Sequence, residues 1–476
     1  MSCRANTSAK LIADKLAHLY ELRQKAEGAN DPTNLGLVDR NIAALSALST
    51  IEEKPVETLS TAEWAQALVA YLELDDKEKL LHAAIGAYRH DMSAAGRFVV
   101  KDALTCLGRY EEAYQVMSDV LRSARCEHSN TQQLLRAYTG AYIGLCAYTQ
   151  RWDLCRSALE ANDFELQSSS LDPSLVWRGE MTDALALVGP VVRRGRGIGD
   201  FLMLAWWSQF LHCFACDVSL VVAKEDQNTL APLFKFLKTR GISIVDANHI
   251  PRAAKHVYGM MFWQLGDFMP ERIYDVMSFL PAWPVEAPMK FESAKLIVGL
   301  CHAALAVEDK DVVIKRRQLT QSNIDRLVES TKDVIQWVNL QYNTHDSRML
   351  NPNIEGWERT ANAVAGTDIV CSVDTSTLHL AGGLRKETWV PQNTIADIKF
   401  AWTCGAKCMV YPTVKVFRSG DFRFDGAIDK IIEALRERVR TATPHLGREN
   451  NFASRLRSLP RSGPPTKCAA DRGRLA

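Results

Sequence analysis

The chain has no long apolar run and almost no net charge, and each absence excludes something. Across 476 residues no stretch reaches the ~18 uncharged residues that a membrane-crossing helix needs. The start, "MSCRANTSAKLIADKL", lacks the apolar core of a secretory signal. The expected compartment is therefore the cytoplasm, with no membrane span. Lysine and arginine number 57 against 56 aspartates and glutamates, a formal charge of +1. No global field draws in nucleic acid or an anionic membrane, so any anionic ligand must be caught locally. Metal-ligand spacings are scarce too. Cys213 and Cys216 have CxxC spacing with one histidine close by, but no second pair follows at zinc-ribbon distance. Cys404 and Cys408 complete a site only if the fold joins the two pairs, so the twelve cysteines read as small hydrophobes and no metal is expected.

What is present points to a globular chain of two or three domains, with 47% hydrophobic and 24% charged residues. From about residue 8 to 170, apolar residues recur at three- and four-residue steps, in runs such as "WAQALVAYLEL" and "KEKLLHAAIGAYRH". These are stacked amphipathic helices. The turn "LGRYEEA" at Leu107 is echoed 42 positions later by "TQRWDLC" at Thr149. That is longer than the about 34 residues of a tetratricopeptide repeat, so the array is either a degenerate repeat or an irregular bundle.

After "SSSLDPS" the pattern changes to strands alternating with helices: "VGPVVRR", a helix from Asp200, "VSLVVAK", "ISIVDA". A second alternation runs from "KLIVGLC" through "IQWVNLQ", "DIVCSVD", "ETWVPQ" and "KCMVYP" to the helix "GAIDKIIEALRERV". The proline-rich "SFLPAWPVEAPMK" between them reads as a hinge. The predicted division is a helical domain over 1–172, α/β domains over 173–288 and 289–440, and a disordered basic tail over 441–476. The tail reads as a solvated terminus, and nucleic acid is not expected as a partner.

Two stretches carry candidate chemistry. In "VVRRGRGIGDFLML", from Val191, the glycines Gly195, Gly197 and Gly199 lead into a helix at Asp200. Glycine lets other groups approach the main chain closely. Asp200 is either the N-cap of that helix or a general base at a cleft. In "TDIVCSVDTSTLHLAGGLRKETWV", from Thr367, a buried strand ends at Asp374, and Thr375 and Ser376 can cap the next helix. The positive end of a helix dipole then lies at the carboxyl edge of a parallel sheet, where a phosphate or diphosphate is the natural guest. His379 lies one turn in, either as a ligand contact or as a buried histidine bonded to backbone. Trp206 and Trp207 offer a stacking face for a sugar, or core.

From Val176 to about residue 437 the sequence resembles glycosyltransferases related to the lipopolysaccharide heptosyltransferases, and bacterial proteins that fuse tetratricopeptide repeats to such a domain. The resemblance rests on Trp177, Gly179 and Glu180; on Gly197, Gly199 and Asp200; on Asp374, Thr375, Ser376, His379, Leu380, Ala381 and Gly382; on "VNLQ", ending at Gln341; and on "YPTVKVFR", from Tyr411. It implies a GT-B pair of Rossmann-like α/β domains following a TPR-like helical domain. It also implies a nucleoside diphosphate sugar as donor, held mostly by the second domain, with no cofactor and no catalytic metal. Asp200 would deprotonate the acceptor hydroxyl. Asp374, Thr375, Ser376, His379 and Gln341 would hold the donor, with a cation from "IKRRQL", Arg316 or Arg317. The sequence departs from the family pattern at Arg196 and at Arg385, where glycine is usual.

The expected activity is that of an inverting, metal-independent hexosyl- or heptosyltransferase acting on a protein or glycan hydroxyl, with the repeats as a surface for protein partners. The alternative is a repeat scaffold or nucleotide-sugar-binding pseudoenzyme acting through protein interactions. A dinucleotide-binding dehydrogenase does not fit, because "GRGIGD" lacks the third glycine at the required spacing.

Overall fold

The computed structural model describes residues 2–126 apart from 29–31, 75 and 91–93, and isolated residues between 142 and 180. It also describes 181–188, 198–258 with gaps that include 228–236, 278 and 280–304, 317–393, and 408–442 apart from 409 and 420–423. Of the tail expected over 441–476, Thr441 and Ala442 are helical and the rest lies outside the described residues, as does most of the region around "TQRWDLC" where a second repeat was expected. No helix among the described residues is long and apolar enough to cross a membrane.

The amino-terminal part is helical: α1 (Ser2–Gly28), α2 (Pro32–Glu52), α3 (Thr61–Leu74), α4 (Lys77–Arg89), α5 (Ala94–Cys106) and α6 (Tyr110–Cys126). Local chemistry sets their ends. The Asp76 carboxylate caps α4 by accepting the Lys79 N–H at 3.1 Å. Gly108, at φ 73°, lets the chain reverse after α5 in a left-handed conformation that glycine adopts without strain. Each helix packs on its neighbour in sequence, burying Leu45, Leu68, Ala84, Val100 and Met117.

The first sheet holds β1 (Thr182–Val188), β2 (Ala215–Val221), β3 (Ile242–Val245) and β4 (Lys255–Tyr258), all parallel in the order β3-β2-β1-β4. Helix α7 (Ile198–Leu211) follows β1. The strand before the glycine turn is "TDALALV", one stretch earlier than the expected "VGPVVRR", of which residues 189–194 are outside the described set. Strand β4, "KHVY", is short and polar enough to escape a hydrophobic-run reading. Trp177 is fully buried, with its indole N–H donated to the Glu180 carbonyl at 2.6 Å and its own backbone N–H to His256 on β4 at 3.0 Å. Its ring meets Phe214 edge-on at 5.1 Å. The Trp of the W-x-GE segment therefore pins the chain entering β1 onto the sheet.

The second sheet holds β5 (Leu296–Cys301), β6 (Ile335–Asn339), β7 (Ile369–Ser372), β8 (Glu387–Gln392) and β9 (Val414–Arg418), parallel in the order β6-β5-β7-β8-β9. Its helices are α8 (Gln321–Glu329), α9 (Trp357–Gly366), α10 (Ser376–Gly383) and α11 (Asp425–Ala442). One expected strand moves. The described part of "KCMVYP" is turn, and the edge strand is the following "VKVFR", whose Val414, Val416 and Phe417 are buried. The turn before it lets Tyr411 lay its ring against Gly382 of α10.

The proline-rich segment expected as a hinge is strapped along the second sheet's helices from Leu280 onward. Arg385 donates to the Leu280 carbonyl at 3.2 Å, Trp283 N–H to Gly383 at 3.0 Å, and Met289 N–H to Asn362 at 2.9 Å. The two sheet units meet where α7 packs against α10. Both helices are buried along most of their length because each lies between its own sheet and the other helix. Trp206 of α7 is fully buried there, 6.1 Å from Trp283 and 6.2 Å from Tyr411 between ring centres. Of the two tryptophans considered for sugar stacking, Trp206 is core, and the side chain of Trp207 is outside the described set.

Candidate active site at the junction of α7 and α10

Strand β7 runs fully buried to Ser372 and delivers Asp374 and Thr375 to the start of α10. Thr375 occupies the N-cap position in extended backbone, but its side chain makes no cap bond, which departs from the expected capping. Its hydroxyl is 3.0 Å from Ser372 Oγ and 3.6 Å from Cys301 Sγ instead. Among the described residues, then, the N-cap side chain does not cover the first-turn N–H groups at the positive end of α10. Gln341, at the end of β6, turns its Oε1 to the Ala303 N–H at 2.9 Å and receives the Cys301 thiol at 3.5 Å. Burial pushes the Cys301 thiol up, so it stays protonated and serves as packing.

Asp374 gathers the charges. Arg317 Nη1 lies 3.4 Å from its Oδ2, and His379 Nε2 lies 3.5 Å from its Oδ1. The other ring nitrogen of His379, Nδ1, is 3.1 Å from the Tyr411 hydroxyl, and the imidazole is buried. Of the two arginines expected to supply a cation, Arg317 reaches this site; Arg316 is outside the described residues.

The first sheet unit arrives from the opposite side. Gly199 and Asp200 lie in the first turn of α7. A Cβ built on Gly199 would stand 2.8 Å from His379 Cδ2 and 3.6 Å from the Ser376 backbone nitrogen. Only hydrogen fits, so the glycine permits the two helix N-termini to touch. The fold therefore brings Gly199, Asp374, Thr375, Ser376, His379, Gln341 and Arg317 into one neighbourhood. Gly197 and the side chain of Asp200 are outside the described set. Tyr411 was legible as part of "YPTVKVFR", but nothing in the sequence pattern assigned it to His379.

A cavity of about 320 Å³ lies past the end of β6 and shares Gln341 with this neighbourhood; Asn339, Asn343, Asn353 and Glu355 are among its other lining residues. Carboxamides dominate it. Asn339 orders the wall by donating to Thr344 and to Asn351 Oδ1 at 3.0 Å, and Asn343 adopts φ 56°, a left-handed conformation asparagine tolerates. His302, following β5, is pushed down in pKa by burial, with Asp346 opposing. No group of three or more His, Cys, Asp or Glu side chains able to hold a metal occurs among the described residues.

No protein-family model and no curated protein matches the chain. Among solved structures, the iron-containing dodecameric glycosyltransferase TibC from enterotoxigenic E. coli H10407 is similar at 9% identity and TM-score 0.32, over 56% of this chain and 78% of that one. The same enzyme in complex with ADP-D-beta-D-heptose gives the same values. A point mutant of the Thermobaculum terrenum O-GlcNAc transferase is similar at 12% identity and TM-score 0.29, over 91% of this chain and 93% of that one. Likenesses this weak carry no functional argument, and the chemistry rests on the junction.

Proposed function

We propose that the protein is an inverting, metal-independent glycosyltransferase of GT-B architecture that moves a sugar from a nucleoside diphosphate sugar to a hydroxyl acceptor. The observation that carries this reading is the contact of the Gly199 turn with His379 and Ser376, which sets the Asp200 backbone beside the start of α10, where Thr375 makes no cap bond. The donor diphosphate would lie on the first-turn N–H groups of α10, with Arg317 and the His379 imidazole close by on Asp374. The nearby cavity, rich in Asn and Gln with Glu355 at its wall, suits the uncharged hydroxyl- and amide-bearing nucleoside.

On this reading the reaction is a displacement at the anomeric carbon. The Asp200 carboxylate takes the acceptor's hydroxyl proton, and the oxygen forms a bond to the anomeric carbon. The carbon–oxygen bond to the diphosphate breaks, and its electron pair leaves on the diphosphate oxygen. The helix dipole, backbone donors and Arg317 stabilise that developing charge. The helical array, as a degenerate TPR-like repeat, would present a protein or glycan acceptor.

The test is release of nucleoside diphosphate from nucleotide sugars by the wild-type protein and by Asp200→Asn. Turnover in the wild type, with at least a roughly hundredfold loss in the variant and nucleotide binding retained, supports the reading. Binding without turnover in either protein leaves the scaffold alternative, and undiminished turnover by the variant removes Asp200 from the mechanism.

A further inference from the structure

We infer that Tyr411 is a positioning residue that sets which nitrogen of His379 carries the proton, and so turns the ring N–H toward Asp374 at the point where the two sheet units meet. This rests on the reading of the α7–α10 junction as the donor site.

His379 is wedged between three neighbours. Its Nε2 is 3.5 Å from Asp374 Oδ1, its Nδ1 is 3.1 Å from the Tyr411 hydroxyl, and its Cδ2 edge faces Gly199 across the junction. A carboxylate only accepts hydrogen bonds, whereas a phenol can donate or accept. With the Tyr411 O–H donating to Nδ1, the ring proton goes to Nε2, the nitrogen that faces the Asp374 carboxylate at 3.5 Å. The opposite tautomer sets the Nε2 lone pair against an anion.

Tyr411 is itself held rigidly. Its ring is fully buried, lies against the backbone of Gly382 where any Cβ would collide, and neighbours Trp206 of the first unit at 6.2 Å. The hydroxyl is therefore delivered to Nδ1 by packing rather than by a flexible side chain. With the proton on Nε2, the N–H faces Asp374 Oδ1 and orients that carboxylate beside the start of α10.

Histidine-selective 15N labelling of the full chain, in mildly alkaline buffer without nucleotide, reads the tautomer directly, with His379→Gln identifying the resonance. The expected wild-type spectrum shows the proton on Nε2. Tyr411→Phe, which keeps the ring over Gly382 and loses only the hydroxyl, should give a mixture of the two tautomers. A wild-type ring protonated on Nδ1, or an unchanged tautomer in Tyr411→Phe, would overturn the inference. If the phenylalanine variant does not fold, the wild-type spectrum decides alone. In turnover, Tyr411→Phe should lower kcat about tenfold, the rate equivalent of one ordinary hydrogen bond, with KM for the donor little changed. Absence of turnover with the expected tautomer present would count against the transferase reading and not against the positioning.

Discussion

Helices α7 and α10 each follow a parallel strand of their unit and pack against one another, yet they use glycine at opposite ends. In α7 the glycine comes at the start, where Gly199 lets another helix's histidine come within contact. In α10 the glycines come at the end: a Cβ on Gly383 would stand 2.7 Å from the Trp283 ring, and Gly382 lies under Tyr411. The first unit spends its glycine on contact at the candidate site, the second on clamping the helix that builds the site. A binding turn can approach its partner only if that partner is immobile, and Trp283, Tyr411 and Trp206 make α10 so.

The contrast between the helices breaks most severely if the chemistry is removed from one side alone. Asp200→Asn is expected to cost about 10²–10⁴-fold in turnover with nucleotide affinity retained, measured by diphosphate release and calorimetry. Next comes the packing shared by both units. Trp206→Ala should destabilise the protein by about 3–5 kcal/mol in denaturant unfolding, because the ring is buried against aromatics from the linker and from Tyr411. The contact between the turns is sharpened by a double-mutant cycle. Gly199→Ala should cost about 1–3 kcal/mol by overpacking against His379, and much of that should disappear in the background of His379→Ala.

Smaller effects separate the linker and the sheets. Arg385 sits at φ 53°, a conformation that favours glycine, and its guanidinium holds the Leu280 carbonyl at 3.2 Å. Arg385→Gly should change stability by less than about 1 kcal/mol while making the linker more sensitive to protease, since strain relief offsets the lost strap. Lastly, burial lowers the pKa of His256 on β4 below its ordinary value of 6.5. The unfolded chain then binds the proton more readily, so stability is fully present above that value and falls as pH drops below it; His256→Gln should flatten the decline in melting temperature.

Much of this fold was legible because its signals are local. Parallel buried strands such as "DIVCSVD" read as apolar runs, and "KEKLLHAAIGAYRH" shows helical spacing behind an aspartate cap. The failures were also local. "KCMVYP" has strand composition, but packing Tyr411 on Gly382 requires a turn there, and that requirement is set by a helix about thirty residues earlier in the chain. At the candidate site, Asp374, His379 and Gly199 could be singled out by residue type. Their convergence could not, because it depends on the docking of α7 against α10, and a helix buried along most of its length does not announce which partner it will bury against. The Thr375 hydroxyl, expected as a cap, is diverted by Ser372, three residues before it, and by Cys301, which the pairing of β5 with β7 brings alongside.

Whether a diphosphate sits at the start of α10 is tested most directly by a thermal-shift titration of the wild-type chain and an Asp374→Ala, Ser376→Ala double variant. The ligands are UDP, GDP, ADP and CMP with their common sugar conjugates. The expected result is stabilisation of the wild type by one nucleotide family and loss of that stabilisation in the double variant. Equal stabilisation of both proteins, or none with any nucleotide at millimolar concentration, would contradict a diphosphate site there.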